Sequence, residues 1–173
     1  KEYCRFEEGV GLGIVRRDDD KGESFRESNI GYAEGNFFSF FSFDIKAGTA
    51  ALFNKPNVVF ISKTAAEKYF GKENPIGQSL TLFNQFGKTR FTVEGIYTIP
   101  GNSDIRYDMV FSLETLKNPA NLNDNGWAQL DNLSSQYINT YFQLSDGADY
   151  KKVEQKLITL RNQLKKDKDG VLF

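Results

Sequence analysis

The chain has 173 residues with a formal net charge of −1, 39% hydrophobic residues and 26% charged ones, enough for one domain or two small lobes sharing a core. It has one cysteine and no histidine, which excludes an internal disulfide, a thiolate zinc site, Ser-His-Asp or Cys-His catalysis and histidine-ligated metals. A near-neutral balance excludes a broad electrostatic footprint for nucleic acid.

In chain order, residues 1–8 carry no clear pattern, and Cys4 reads as incidental. Gly9–Arg17 and Ser24–Ala33 read as two strands of a hairpin. The charged turn Asp18-Asp19-Asp20-Lys21-Gly22-Glu23 joins them. Three adjacent aspartates cannot all face one ion, because neighbouring side chains diverge, so the turn reads as a solvated tip. Asn36-Phe37-Phe38-Ser39-Phe40-Phe41-Ser42-Phe43 holds five phenylalanines. Phe37, Phe38 and Phe41 fall on one face of a helical turn, and the stretch is expected to plug a core. An exposed partner or membrane-surface patch is the alternative. Thr49–Pro56 reads as a loop.

Val58-Val59-Phe60-Ile61 is an unbroken apolar run and reads as a buried strand. The helix after it has a capping residue in Ser62 or Thr64, with Thr64 and Glu67 at capping-box spacing. Tyr69 and Phe70 end it, and Gly71 suits the left-handed position past a helix. Pro75 and Gly77 turn the chain into a strand at Ser79–Phe83. A loop over Asn84–Lys88 leads to the return strand Thr89–Thr98. In that strand Phe91, Val93, Gly95 and Tyr97 share one face. Gly95 signals a bulge or a close backbone approach. Tyr107–Leu113 is a further strand.

Residues 114–135 are amide-rich and loop-like, with Trp127 packing down to pin them. An EF-hand alignment would place Asn121, Asn123 and Asn125 as ligands and Asn132 where a bidentate glutamate is required, so calcium binding of that type is excluded. Asn132-Leu133-Ser134 is a glycosylation sequon by pattern alone. Ile138–Leu144 reads as a strand. Asp149 caps a helix whose stripe is Tyr150, Val153, Leu157, Leu160 and Leu164. Lys165, Lys166 and Lys168 crowd its C-terminal end and Gly170 closes it. Val171-Leu172-Phe173 reads as the opening of another strand. No apolar run is long enough to span a membrane. The chain lacks a signal peptide and a starting methionine, and it is expected to be a piece of a longer protein.

Four stretches resemble the extracytoplasmic core domain of MacB-like ABC transporter permeases, the family that also carries FtsX-like permease domains. The first is Asn36-Phe37-Phe38 with Phe41, Phe43 and Gly48. The second is Val58–Ser62, then Ala65-Ala66-Glu67-Lys68-Tyr69-Phe70-Gly71 and Pro75-Ile76-Gly77. The third is Phe91–Ile96, then Pro100, Asn102, Ser103, Tyr107-Asp108 and Ser112. The fourth is Thr140-Tyr141 with Leu144. The order and spacing match best over residues 36–112. Asp104 departs from the histidine the family often has there, and residues 1–35 and 114–135 carry little of the likeness.

The resemblance implies an α+β fold of two lobes, with porter-like strand-helix-strand units and a smaller mixed lobe with antiparallel strands. Residues 1–173 would form one periplasmic core domain between two transmembrane helices, with an inner lobe at about 50–135. It implies a non-catalytic domain on the periplasmic side of the bacterial inner membrane, coupling ATP-driven helix motion to export or to mechanotransmission across the envelope. The implied partners are an ATP-binding subunit or domain, a second copy of the permease, and a periplasmic protein or lipoprotein. This chain has no GxxxxGK[ST] phosphate loop. No catalytic, cofactor-binding or metal-ligating residue is assigned. The competing readings are a protein-, peptide- or lipoprotein-binding module of the envelope and an enzyme with paired carboxylates. The acids are scattered among Lys and Arg, which argues against the last.

Overall fold

The computed structural model describes residues 2–18, 22–132 and 135–166. The chain divides into two compact units: Cys4–Tyr141, and Lys1–Tyr3 with Phe142–Phe173.

The strands, in chain order, are β1 (Glu2–Glu8), β2 (Gly13–Arg17), β3 (Ser24–Glu27), β4 (Ile30–Ala33), β5 (Asp44–Gly48), β6 (Val58–Ser62), β7 (Ser79–Asn84), β8 (Gly87–Thr98), β9 (Met109–Ser112) and β10 (Asn139–Gln143). They form one mixed sheet of order β10-β1-β4-β9-β6-β8-β7-β2-β3, with β5 against β8. The α-helices are α1 (Phe37–Phe40), α2 (Lys63–Phe70) and α3 (Tyr150–Lys166). The fold is thus mixed α and β with few helices, as expected.

The centre of the sheet explains the unbroken apolar run at 58–61. Both faces of β6 are covered, so neither set of alternate side chains can be polar. Val59 and Ile61 enter a core with Tyr32, Tyr69, Leu80, Phe91 and Phe111. Val58 and Phe60 enter a second core with Phe6, Phe37, Phe38, Phe43, Phe53 and Tyr97. β9 divides likewise, with Met109 and Phe111 in the first core and Val110 in the second. The phenylalanine-rich stretch is therefore interior material. Phe37, Phe38 and Phe43 are buried, and Phe40 and Phe41 are half-buried. Phe38 meets Phe53, Phe60 and Tyr97 with ring centroids about 5.0 Å apart. Each fully buried ring contributes roughly 1.5–3 kcal/mol of transfer free energy.

Several sequence expectations are corrected. Residues 1–8 are not patternless: Glu2–Glu8 is β1, antiparallel to β4. Ser24–Ala33 is not one strand. β3 ends at Glu27, and after Ser28-Asn29 the chain re-enters the sheet as β4, parallel to β9. The hairpin itself joins β2 and β3; Asp19, Asp20 and Lys21 of its turn lie outside the described residues. Asp44–Gly48, to which the sequence assigned no element, is a strand, because it gains a partner in β8. Within the 49–56 loop, Ala50–Asn54 winds into a 3-10 helix. The β7–β8 hairpin is tighter than expected, with Asn84 opposite Gly87 and only Gln85 and Phe86 between them. Phe91, Val93, Gly95 and Tyr97 of β8 are all buried, but they do not share one face as expected: Phe91 and Val93 enter the first core and Tyr97 the second, because a register shift between β6 and β8 carries the alternation across the sheet. Gly95 sits at a register shift between β6 and β8.

In the other unit, Asp149 caps α3 by accepting hydrogen bonds from the Lys151 and Lys152 N–H groups at 3.0 and 3.4 Å. The stripe Tyr150, Leu157, Leu160 and Leu164 is exposed. Lys168, Gly170 and Val171–Phe173 lie outside the described residues.

Candidate functional site

The residues carrying the family likeness meet around the junction of β6 and α2. Ser62 ends the strand in extended geometry and caps the helix, its Oγ accepting from the Ala65 N–H at 3.0 Å. Of the two capping candidates, Ser62 holds the position. The same hydroxyl donates to Asp108 Oδ1 at 2.8 Å, and the Ser62 N–H donates to the Asp108 carbonyl at 2.7 Å. The Tyr97 hydroxyl donates to the Tyr107 carbonyl. The motif residues Ser62, Tyr107 and Asp108, with Tyr97 beside them, thus lock the strand-helix corner to the segment entering β9. Their hydrogen bonds are made to one another, which describes a structural joint.

The other end of α2 is tied down by groups the sequence did not single out. Arg17 Nη1 donates to the Tyr69 carbonyl at 3.2 Å, and its guanidinium lies 4.8 Å over the Phe70 ring and pairs with Glu73. Glu27, nearly buried, accepts from Lys68 Nζ at 2.7 Å and from the Tyr69 hydroxyl at 2.6 Å. Glu7 is fully buried. Its carboxylate accepts from the backbone N–H groups of Val10, Gly11 and Tyr32 at 2.8, 3.1 and 3.2 Å. It thereby closes the loop between β1 and β2 and fastens it to β4. Such acids and bases give no sequence signal, because their partners, apart from the Val10 and Gly11 N–H groups beside Glu7, are 25 to 56 residues away.

At least two clefts open on the larger unit. One, of about 440 Å³, is lined by Arg5, Leu116, Lys117, Pro119, Gln129, Leu130 and Asp131. The other, of about 330 Å³, is lined by Ser62, Lys63, Thr64, Glu67, Thr98 and Ile99. Each has a single acidic residue in its lining, so neither supplies the facing carboxylates of a glycosidase. Among the described residues no group of three or more acids and cysteine is placed to hold a metal. Cys4 is buried in the phenylalanine-rich core.

The amide-rich segment is closed on itself. Asn125 Nδ2 donates to the carbonyls of Leu122 at 2.8 Å and Gln85 at 3.1 Å, and Asn121 Nδ2 to that of Thr115 at 2.9 Å. Trp127 remains partly exposed and rests against Phe86 and Tyr137, centroids 6.0 and 5.3 Å away, which is the pinning role expected of it. Of the sequon, Leu133 and Ser134 lie outside the described residues.

Four tyrosines carry the clearest electrostatic signature. Burial raises Tyr137 to about 12, with the Glu7 charge adding to this and Arg5 opposing it. Burial raises Tyr32, Tyr69 and Tyr97 further, seconded by Glu7, by the hydrogen bond to Glu27 and by Asp108 respectively. A folded-state pKa above the unfolded value near 10 favours the neutral phenol in the folded protein. The resulting stabilisation is complete below about pH 10 and is lost as pH rises through and beyond about 12. Alkaline titration is therefore expected to ionise these phenols together with unfolding, so that phenolate absorbance and loss of near-ultraviolet circular dichroism coincide. Ionisation of these four with the fold intact would contradict it.

A family model described as the MacB-like periplasmic core domain matches residues 7–160. Among solved structures, a permease-protein domain from Porphyromonas gingivalis superposes with a TM-score of 0.68 at 20% identity, over 94% of this chain and 70% of that one. The periplasmic region of MacB from Actinobacillus actinomycetemcomitans superposes with a TM-score of 0.63 at 18% identity, over 95% of this chain and 67% of that one. At such identities the likeness is one of fold. No curated protein matches the chain significantly.

Proposed function

The chain belongs to the MacB-like periplasmic core domain family, and from that premise we propose that it acts as a non-catalytic coupling element of an ABC transporter permease. In this reading it stands on the periplasmic side of the inner membrane and relays ATP-driven movement of the membrane helices into export or into mechanical work across the envelope. Residues 1–173 form one core domain inserted between two transmembrane helices, with an inner lobe at about 50–135. An ATP-binding subunit or domain drives it, and the full-length permease pairs with a second copy.

The observation that carries this reading is the interior position of the phenylalanine-rich stretch. A relay must be stiff, and stiffness comes from close packing on both faces of a sheet. Phe37, Phe38, Phe43, Phe53 and Phe60 supply that packing on one face. The same observation weakens the alternative of a partner- or lipoprotein-binding module built on the five phenylalanines, because they do not form one exposed patch. The amide-rich loop, whose side chains bond inward, is also a poor capture surface.

Two experiments on the full-length protein test the proposal. Reporter fusions within this segment and at both flanks are expected to place it outside the cytoplasm between two spanning helices; a cytoplasmic segment would overturn the reading. Deleting the domain is expected to leave ATP hydrolysis and abolish export, and export that survives deletion would remove the coupling role.

A further inference from the structure

The outer face of β3-β2-β7-β8 carries a pattern that neither the family likeness nor the relay uses. Register places Arg26, Ile14, Phe83 and Lys88 side by side in one row across the four strands. The next row is Ser24, Arg16, Thr81 and Arg90. These positions alternate with the inward residues Phe25, Val15, Leu82 and Phe91, so they point away from the core. Arg26, Lys88 and Arg90 are exposed and Arg16 half so. Ile14 is 47% exposed, and so in similar measure is Leu12 just before the strand. Arg16 and Lys88 stand over the Phe83 ring at 5.4 and 5.9 Å.

Four cations on one face of a chain whose net charge is −1 mark a segregated charge. The carboxylate described among them is Asp18, which is taken up by Thr81 at 2.7 Å and Arg90 at 3.1 Å and pairs more loosely with Arg16 at 3.9 Å. Farther along β8, Glu94 follows Thr92. Arg26 and Lys88 have no ion pair among the described residues. The row spans roughly 14 Å, three strand spacings of ~4.8 Å, which about four residues of extended chain would cover.

We propose that this face docks an acidic peptide segment of a partner protein, its carboxylates pairing with Arg16, Arg26, Lys88 and Arg90 around an apolar side chain seated on Ile14 and Phe83. Charge complementarity selects the sign of the partner. The position of Phe83 argues for a peptide over a bilayer surface. Interfacial binding to lipid needs apolar side chains that reach past the headgroups, whereas Phe83 lies beneath the arginine and lysine heads.

The test uses a fluorescent synthetic peptide alternating glutamate or aspartate with leucine and phenylalanine, followed by anisotropy, with phosphatidylglycerol vesicles assayed in parallel. Binding is expected to weaken with salt and to fall about tenfold when Arg26→Glu and Lys88→Glu are combined. Ile14→Ser is expected to weaken it several-fold. A Lys55→Glu and Lys63→Glu control makes the same change in net charge at exposed sites elsewhere and is expected to leave binding unchanged. All three variants alter exposed side chains, and thermal unfolding checks that they fold as the parent does. Failure of the peptide to bind, equal weakening by the control, or vesicle binding that responds to the variants when peptide binding does not would each overturn the proposal. The result does not depend on the permease reading, which the reporter fusions test separately.

Discussion

Replacing Glu7 by alanine is expected to destabilise the domain by at least about 3 kcal/mol, because each of three donors left without an acceptor costs about 1–3 kcal/mol. The carboxylate accepts from three backbone N–H groups, those of Val10, Gly11 and Tyr32, in a fully buried position. Against a total stability of about 5–15 kcal/mol, this is a large share. Denaturant unfolding monitored by Trp127 fluorescence should show a much lower midpoint, with the loop at 9–12 losing hydrogen-exchange protection first. Glu7→Gln keeps the volume and one acceptor oxygen but turns an amide donor toward backbone donors, so an intermediate loss is expected. A loss below about 1 kcal/mol for the alanine variant would mean that water replaces the carboxylate, and the anchoring role would be withdrawn.

Gly95→Ala is the second large effect, at about 3 kcal/mol, the upper end of the usual overpacking cost. A Cβ at that position would fall 2.3 to 2.7 Å from three atoms of the Phe60 ring. The ring cannot retreat, since it is fully buried with Phe38 and Phe53 at centroid distances of 4.9 and 5.1 Å. The clash can instead be relieved from the other side. Phe60→Leu alone should destabilise through lost packing, yet in combination with Gly95→Ala the total should fall short of the sum by at least about 1 kcal/mol. Strictly additive losses would show that alanine strains the strand by another route.

The difference between what could and could not be read in the chain is physical. α2 was legible because its signals are local: a capping serine, good helix formers, and a glycine just past the end. β6 was legible because both its faces are covered, which leaves an unbroken apolar run. The period of two picked out the buried residues of β8 but not the register shift at Gly95, which sends Tyr97 to the opposite face from Phe91 and Val93, and Gly95 announced a close approach without naming Phe60 as its cause. β1 was missed because Cys4 and Phe6 are its whole apolar alternation, which Glu8 ends, and because nothing local shows that Glu7 on the other face is buried. β5 was missed because its strand character comes from pairing with β8 rather than from composition. The break at Ser28-Asn29 was missed because β3 and β4 take different neighbours in the sheet.

By itself, then, the sequence determined the elements with local periodicity, the helix caps, the absence of histidine- and thiolate-based chemistry, and the family likeness over residues 36–112. Tertiary structure alone decided which phenylalanines were interior, which carboxylates were anchored by distant backbone, and that Arg16, Arg26, Lys88 and Arg90 share one face. Propensity and periodicity act over a few residues, whereas burial and charge clustering depend on register between strands far apart in the chain.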